Sequence, residues 1–138
     1  MEHNATYKKV IHKELSYKVM GILFAVNNEL GYGYQERYYE RAIEVHLQKE
    51  GMAYRRQMPY NISVQGTIIG RYYLDLLIDN KIILEIKKGS YFSRHNIEQV
   101  KGYLKVTGLE LAILANFTPH GVKYLRVLND RNYKKFSL

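Results

Sequence analysis

The stretch Tyr72-Tyr73-Leu74-Asp75-Leu76-Leu77-Ile78, followed by Asp79-Asn80-Lys81 and then Ile82-Ile83-Leu84-Glu85-Ile86-Lys87, decides how the chain is read. Aromatic and branched aliphatic residues dominate both halves, and Asp-Asn-Lys between them is a turn signal, so the pattern predicts two strands joined as a hairpin. Side chains alternate along a strand. Leu74, Leu76 and Ile78 are therefore expected on one face, with Tyr73, Asp75 and Leu77 on the other. In the second strand Ile82, Leu84 and Ile86 oppose Ile83, Glu85 and Lys87. A three-residue loop aligns Ile78 with Ile82 and Asp75 with Glu85, whereas a two-residue loop would set Asp75 opposite Leu84. Only the first register gathers six aliphatics on one face and Asp75, Glu85 and Lys87 on the other, and it is the register expected.

Two carboxylates and an ammonium on strands this apolar are costly to bury unless something compensates them. Hard oxygen ligands at this spacing suit Mg²⁺ or Mn²⁺, which take one or two carboxylates together with water and phosphate oxygens. Lys87 would then hold or deprotonate a water, or stabilise charge developing on a phosphate. The same residues also fit a simpler arrangement, in which Glu85 pairs with Lys87 and Asp75 lies near a solvated strand end.

Outward from this hairpin, apolar positions recur at helical spacing from Ile11 through Leu15, Val19, Ile22, Leu23 and Val26 to Leu30, which predicts a helix over residues 11–30 ended by Gly31-Tyr32-Gly33. A second helix fits residues 35–50, and strand character runs from Ala53 to Lys87, with a turn at Gln65-Gly66 and Pro59 at a sheet edge or bulge. Ser93 is the expected N-cap of a third helix that stops at Thr107-Gly108, and two strands follow at Leu111–Phe117 and Val122–Leu128. Gly31-Tyr32-Gly33 lacks the glycine spacing and preceding strand of a dinucleotide site. The expected architecture is α/β in the α+β sense: one mixed central sheet flanked by helices, in a single domain over residues 1–138.

Composition narrows the class further. With no cysteine in 138 residues, disulfide, thiolate-metal and thiol chemistry are excluded. The longest apolar run, Met20 to Val26, is far short of the roughly 20 residues a membrane span needs, so a cytoplasmic protein that does not insert in a membrane is expected. The net charge of +8 is unevenly placed: residues 21–50 sum to −2, residues 81–105 to +4 and the last eighteen to +4. Such clustering suggests nucleic acid as partner, with Lys88, Arg94 and Lys101 of the basic central stretch as the expected contacts. A homodimer or a protein partner, with the tyrosines in an interface, is a separate expectation.

Asp75, nine intervening residues and then Glu85-Ile86-Lys87 resemble the D…(D/E)xK core of the PD-(D/E)xK nuclease superfamily. Gly33-Tyr34-Gln35-Glu36-Arg37-Tyr38-Tyr39 is similar to the GxxExxY motif that names one prokaryotic branch of it. His95, Gln99, Tyr103-Leu104-Lys105, Thr107-Gly108 and Asn116-Phe117 follow in the matching order, over about residues 13–128. Lys88 departs from the small residue frequent at its position, and Tyr34 from the common Leu. The resemblance implies a restriction-endonuclease-like αβββαβ core and metal-dependent phosphodiester hydrolysis, with DNA as the expected substrate. It assigns Asp75, Glu85 and the Ile86 carbonyl to Mg²⁺ or Mn²⁺, Lys87 to the attacking water, and Glu36 and Gln99 to the completed catalytic set. A first-turn glutamate complementing the helix dipole would equally account for Glu36, and Gln99 could simply flank the buried stripe of its helix. A module that keeps the fold and binds nucleic acid without cleaving it is the alternative function.

Overall fold

A computed structural model of the chain describes residues 10–129. The elements run α1 (Lys13–Leu30), α2 (Glu36–Lys49), β1 (Tyr54–Val64), β2 (Thr67–Ile78), β3 (Ile82–Lys88), α3 (Arg94–Thr107), β4 (Leu111–Thr118) and β5 (Gly121–Leu128). The five strands form one mixed sheet in the order β1-β2-β3-β4-β5. Only β3 and β4 are parallel, and α3 is the crossover a parallel pair requires. The basic C-terminal residues Arg131, Lys134 and Lys135 lie outside the described residues. No helix of the described residues is long and apolar enough to cross a membrane.

Each face of the sheet has its own core. On one, Val19, Ile22, Leu23 and Val26 of α1 and Tyr39, Ile43 and Leu47 of α2 pack on Leu76, Ile78, Ile82, Leu84, Ile86 and Phe117. On the other, Val100, Tyr103 and Leu104 of α3 cover Leu74, Leu77, Ile83, Ala112 and Leu114. The first helix begins at Lys13, not at residue 11, because His12 is in a left-handed conformation (φ 51°) that cannot be helical. The carbonyl of Ile11, left ahead of the helix, accepts a hydrogen bond from Arg126 at 2.6 Å. Ser93 caps α3 through the Asn96 N–H at 3.0 Å, and Gly108 closes it at φ 73°.

The hairpin pairs Ile78 with Ile82, Leu77 with Ile83 and Leu76 with Leu84, the register of a three-residue loop. Asp79 and Asn80 both have φ 53°, and the Lys81 N–H closes the turn on the Ile78 carbonyl at 2.9 Å. One expectation is corrected. Leu74 lies on the face of α3 with Leu77, and not with Leu76 and Ile78. Simple alternation fails because the chain reverses its facing at Asp75. Arg56 pairs with Leu76 and Met58 with Leu74, which leaves Gln57 opposite Asp75 and unpaired, at a left-handed φ of 50°. Both strands of the β1–β2 ribbon therefore break step at the same level.

The connection from α1 to α2 is locked by Tyr39. Its ring is fully buried and stacks on Phe117 at 4.0 Å between centroids and 8° between planes. Its hydroxyl donates to the Gly31 carbonyl at 2.6 Å and accepts from the Tyr34 N–H at 3.4 Å. Gly33, at φ 117°, makes the bend that brings those groups into reach. Tyr39→Phe keeps the stack and removes the hydroxyl, so it is expected to cost about 1 kcal/mol in chemical denaturation. Phe117→Ala, which opens a cavity under the ring, is expected to cost about 3–5 kcal/mol in the same measurement.

Candidate active site

The β2–β3 ladder stops after Leu76 and Leu84. Beyond it the strands are joined by their side chains: the Asp75 N–H donates to Glu85 Oε1, and the Ile86 N–H to Asp75 Oδ2, each at 2.8 Å. The carboxylates therefore stand where main-chain carbonyls would otherwise accept. Glu85 is only 2% exposed. Lys87, two residues on along the same face, brings Nζ to 3.8 Å from Glu85 Oε2.

Burial is the largest influence on both carboxyls and raises both. Glu85 is pushed up to about 8, further helped by the negative charge of Asp75, while the Asp75 N–H and Lys87 pull the other way. Asp75 is raised more weakly, because the Ile86 N–H and Lys87 offset part of the burial cost. The site places two like charges together with too little compensation from the chain itself.

Other carboxylates feel the same field. Glu36, in the first turn of α2, accepts from the Lys88 N–H at 3.0 Å, so it both meets the helix dipole and ties α2 to the end of β3. Its charge also raises Asp75. One turn on, Glu40 is buried and accepts from Gln57 Nε2 at 3.1 and 3.3 Å. Burial raises Glu40, as does Asp75, and Glu40 in turn raises Glu85. From the opposite side, Tyr103 of α3 is raised first by burial and then by Glu85 and Asp75.

Glu40 and Gln57 were not among the residues anticipated from sequence, and Tyr103 was named there only within the matching order of motifs, with no site role. Glu40 follows Glu36 by four residues, a spacing that puts both on one helix face and could have flagged it. Gln57 carried no such signal, since its place depends on how β1 registers against β2. Gln99 lies half-buried on α3, four residues before Tyr103 and so on the same stripe, with no side-chain hydrogen bond among the described residues. Lys88 is exposed, its Nζ 5.6 Å from the Tyr32 ring centre. Arg94 is exposed at the start of α3, and Lys101 pairs with Glu98 at 3.7 Å. Asn116, beside Lys87 in the parallel register, donates to the Tyr91 carbonyl at 2.8 Å and holds the β3–α3 connection down.

The donor set fits a hard divalent cation. Among the described residues no three His, Asp or Glu side chains form a ready cage. One buried and one half-buried carboxylate lacking compensation are nevertheless what Mg²⁺ or Mn²⁺ takes from protein, the rest of its shell being water and substrate oxygens. The N–H and C=O of a strand residue point the same way, so the Ile86 carbonyl faces the opening that its N–H faces.

Because the folded chain holds the Glu85 proton more tightly than the unfolded chain, stability should fall as pH rises from about 4.5 to about 8 and level off beyond. Glu85→Gln should flatten that window in denaturation midpoints measured against pH. At pH 8, added Mg²⁺ should raise the wild-type midpoint and leave that of Glu85→Gln unmoved.

The sequence model of the PD-(D/E)XK nuclease superfamily matches residues 13–127. No curated relative matches the chain by sequence. Among solved structures, the fold is similar to that of the protein described as SSO0001, at TM-score 0.56 and 18% identity, over 93% of this chain and 72% of that one. It is also similar to an alkaline exonuclease (LHK-Exo) from Laribacter hongkongensis, at TM-score 0.51 and 12% identity, over 93% of this chain and 75% of that one. With the family model matching nearly the whole described chain, the protein belongs to the PD-(D/E)XK nuclease superfamily.

Proposed function

We propose that the protein is a divalent-metal-dependent nuclease of the GxxExxY branch that hydrolyses phosphodiester bonds of DNA. The observation that carries this reading is the opened end of the β2–β3 ladder, where half-buried Asp75 and buried Glu85 are joined through main-chain N–H groups and Lys87 Nζ lies 3.8 Å from Glu85 Oε2. Asp75, Glu85 and the Ile86 carbonyl would hold Mg²⁺ or Mn²⁺. When bound, that ion supplies Lewis-acid activation of water and neutralises charge on the phosphate.

The chain's own groups do the rest. Asp75 and Glu85 each keep one carboxylate oxygen on a main-chain N–H, which fixes the direction of the other. Lys87 is held near the pair by Glu85 and presents its ammonium where a water or a phosphate oxygen would sit, orienting the nucleophile and stabilising developing negative charge. Glu36 fixes the end of β3 through the Lys88 N–H, so the strand carrying Glu85 and Lys87 does not slide against α2. Gln99, on the Tyr103 stripe of α3, is assigned the remaining place in the catalytic set.

Nucleic acid as partner is supported by the superfamily and by the basic excess of the chain. A second reading, a binding module without catalysis, is favoured by the engagement of both carboxylates with main-chain N–H groups, an arrangement that also stands without a metal. Cleavage of single- and double-stranded DNA and of RNA with Mg²⁺ or Mn²⁺ separates the two. Asp75→Asn, Glu85→Gln and Lys87→Ala are each expected to lower the DNA cleavage rate by about 10²-fold or more while the circular dichroism of the fold is kept. Metal-independent binding with no cleavage of any substrate would leave the module reading instead.

A further inference from the structure

Helix α2 alternates acids and bases: Glu36, Arg37, Glu40, Arg41 and Glu44. Arg37 and Arg41 each have a glutamate three residues further on, the spacing at which ion pairs form on a helix surface. Neither pair forms. Glu40 turns inward to Gln57, and Glu44 turns in to accept from the Tyr54 hydroxyl at 3.1 Å. The two arginines are left four residues apart on one exposed face, where like charges repel.

A third guanidinium joins them. Arg56 of β1 reaches the same place, forming a long ion pair with Glu44, Nε to Oε2 at 3.9 Å, that lacks a hydrogen bond. Arg37 is pre-positioned, donating to the Tyr38 hydroxyl at 3.0 Å with its guanidinium carbon 4.9 Å from the ring centre. The three arginines, Tyr38 and Glu40 line an open cleft of about 300 Å³. Glu40 connects this cleft to the carboxylate pair, since its partner Gln57 stands opposite Asp75. Burial raises the Glu40 carboxyl above its ordinary value.

Arginine forks match phosphate oxygens two at a time, and three of them converge here against only two glutamates, Glu40 and Glu44, both turned inward to other partners. We infer that the Arg37, Arg41 and Arg56 cleft holds a phosphate group of the nucleic-acid strand, adjacent to the one that is cleaved. The strand then runs over α2 and β1, on the opposite side of the carboxylates from α3. Lys88, Arg94 and Lys101 are secondary in that path. This inference rests on the nuclease reading and adds to it a position for the substrate backbone. The phosphate is either a chain-terminal group or an internal phosphodiester, which share the same recognition chemistry.

The test is fluorescence anisotropy of labelled single-stranded oligonucleotides with the full chain, in EDTA, across a salt series. Oligonucleotides carrying a 5′-phosphate, a 3′-phosphate or neither form the three arms. Arg37→Ala/Arg41→Ala is expected to weaken binding about tenfold or more and to make the slope of log affinity against log salt shallower by about 0.7, the value for one phosphate on a single strand. Arg37→Lys/Arg41→Lys should recover part of the affinity. Lys18→Ala/Lys123→Ala, which removes the same charge from exposed positions elsewhere, should bind as wild type. A loss seen only with one phosphorylated end assigns a terminal phosphate; an equal loss in all arms assigns an internal phosphodiester. Unchanged affinity and slope in Arg37→Ala/Arg41→Ala, or an equal loss in Lys18→Ala/Lys123→Ala, overturns the inference while a cleaving wild type keeps the nuclease reading. A wild type that neither binds nor cleaves any nucleic acid overturns both.

Discussion

The crossed pair of hydrogen bonds between Asp75 and Glu85 and the opposing main chains is the constraint on which the rest of the molecule turns. It occupies the point where the β2–β3 ladder ends, so two carboxylates do the work of backbone acceptors in a nearly dry place. Such an arrangement satisfies the N–H groups and leaves the charges under-compensated, which is why burial raises both carboxyls. At Asp75 the β2–β3 ladder gives way to these side-chain bonds. The left-handed Gln57 opposite it lets the ribbon reverse its facing, and Leu74 drops into the second core as a result.

The helices serve this opening from both sides. Tyr39 anchors α2 by stacking on Phe117 and by its bond to Gly31, and that anchoring aims Glu36 and Glu40 at the strand ends. Gly33, Glu36 and Tyr39 thereby acquire separate physical roles: the bend, the tie to Lys88 and the clamp on the preceding loop. Glutamates that turn inward leave Arg37 and Arg41 outward without a carboxylate partner among the described residues. The polarity of α2 is thus divided, acids toward the sheet and bases toward solvent, although the two alternate along the sequence.

Much of the fold was legible because its signals are local. Helical spacing, the Ser93 cap, the Gly108 stop and the Asp79-Asn80-Lys81 turn each act within a few residues, and the structure follows them. The start of α1 was misread by two residues, since nothing near His12 announces its left-handed backbone. The face of Leu74 was misread because alternation assumes an unbroken strand. Glu40 and Gln57 went unnoticed at the site for a related reason: a glutamate on a helix and a glutamine on an edge strand are ordinary until the register of β1 on β2 brings them together.

By itself the sequence determined the order of elements, the hairpin register and the identity of the Asp75, Glu85 and Lys87 cluster, because periodicity and turn chemistry are properties of neighbouring residues. Only the tertiary structure decided that the ladder opens at Asp75, that Glu40 and Gln57 reach the carboxylates, and that Arg37, Arg41 and Arg56 share a cleft. Those outcomes depend on packing between segments far apart in the chain, where burial and the direction of each side chain are set by groups that no local pattern contains.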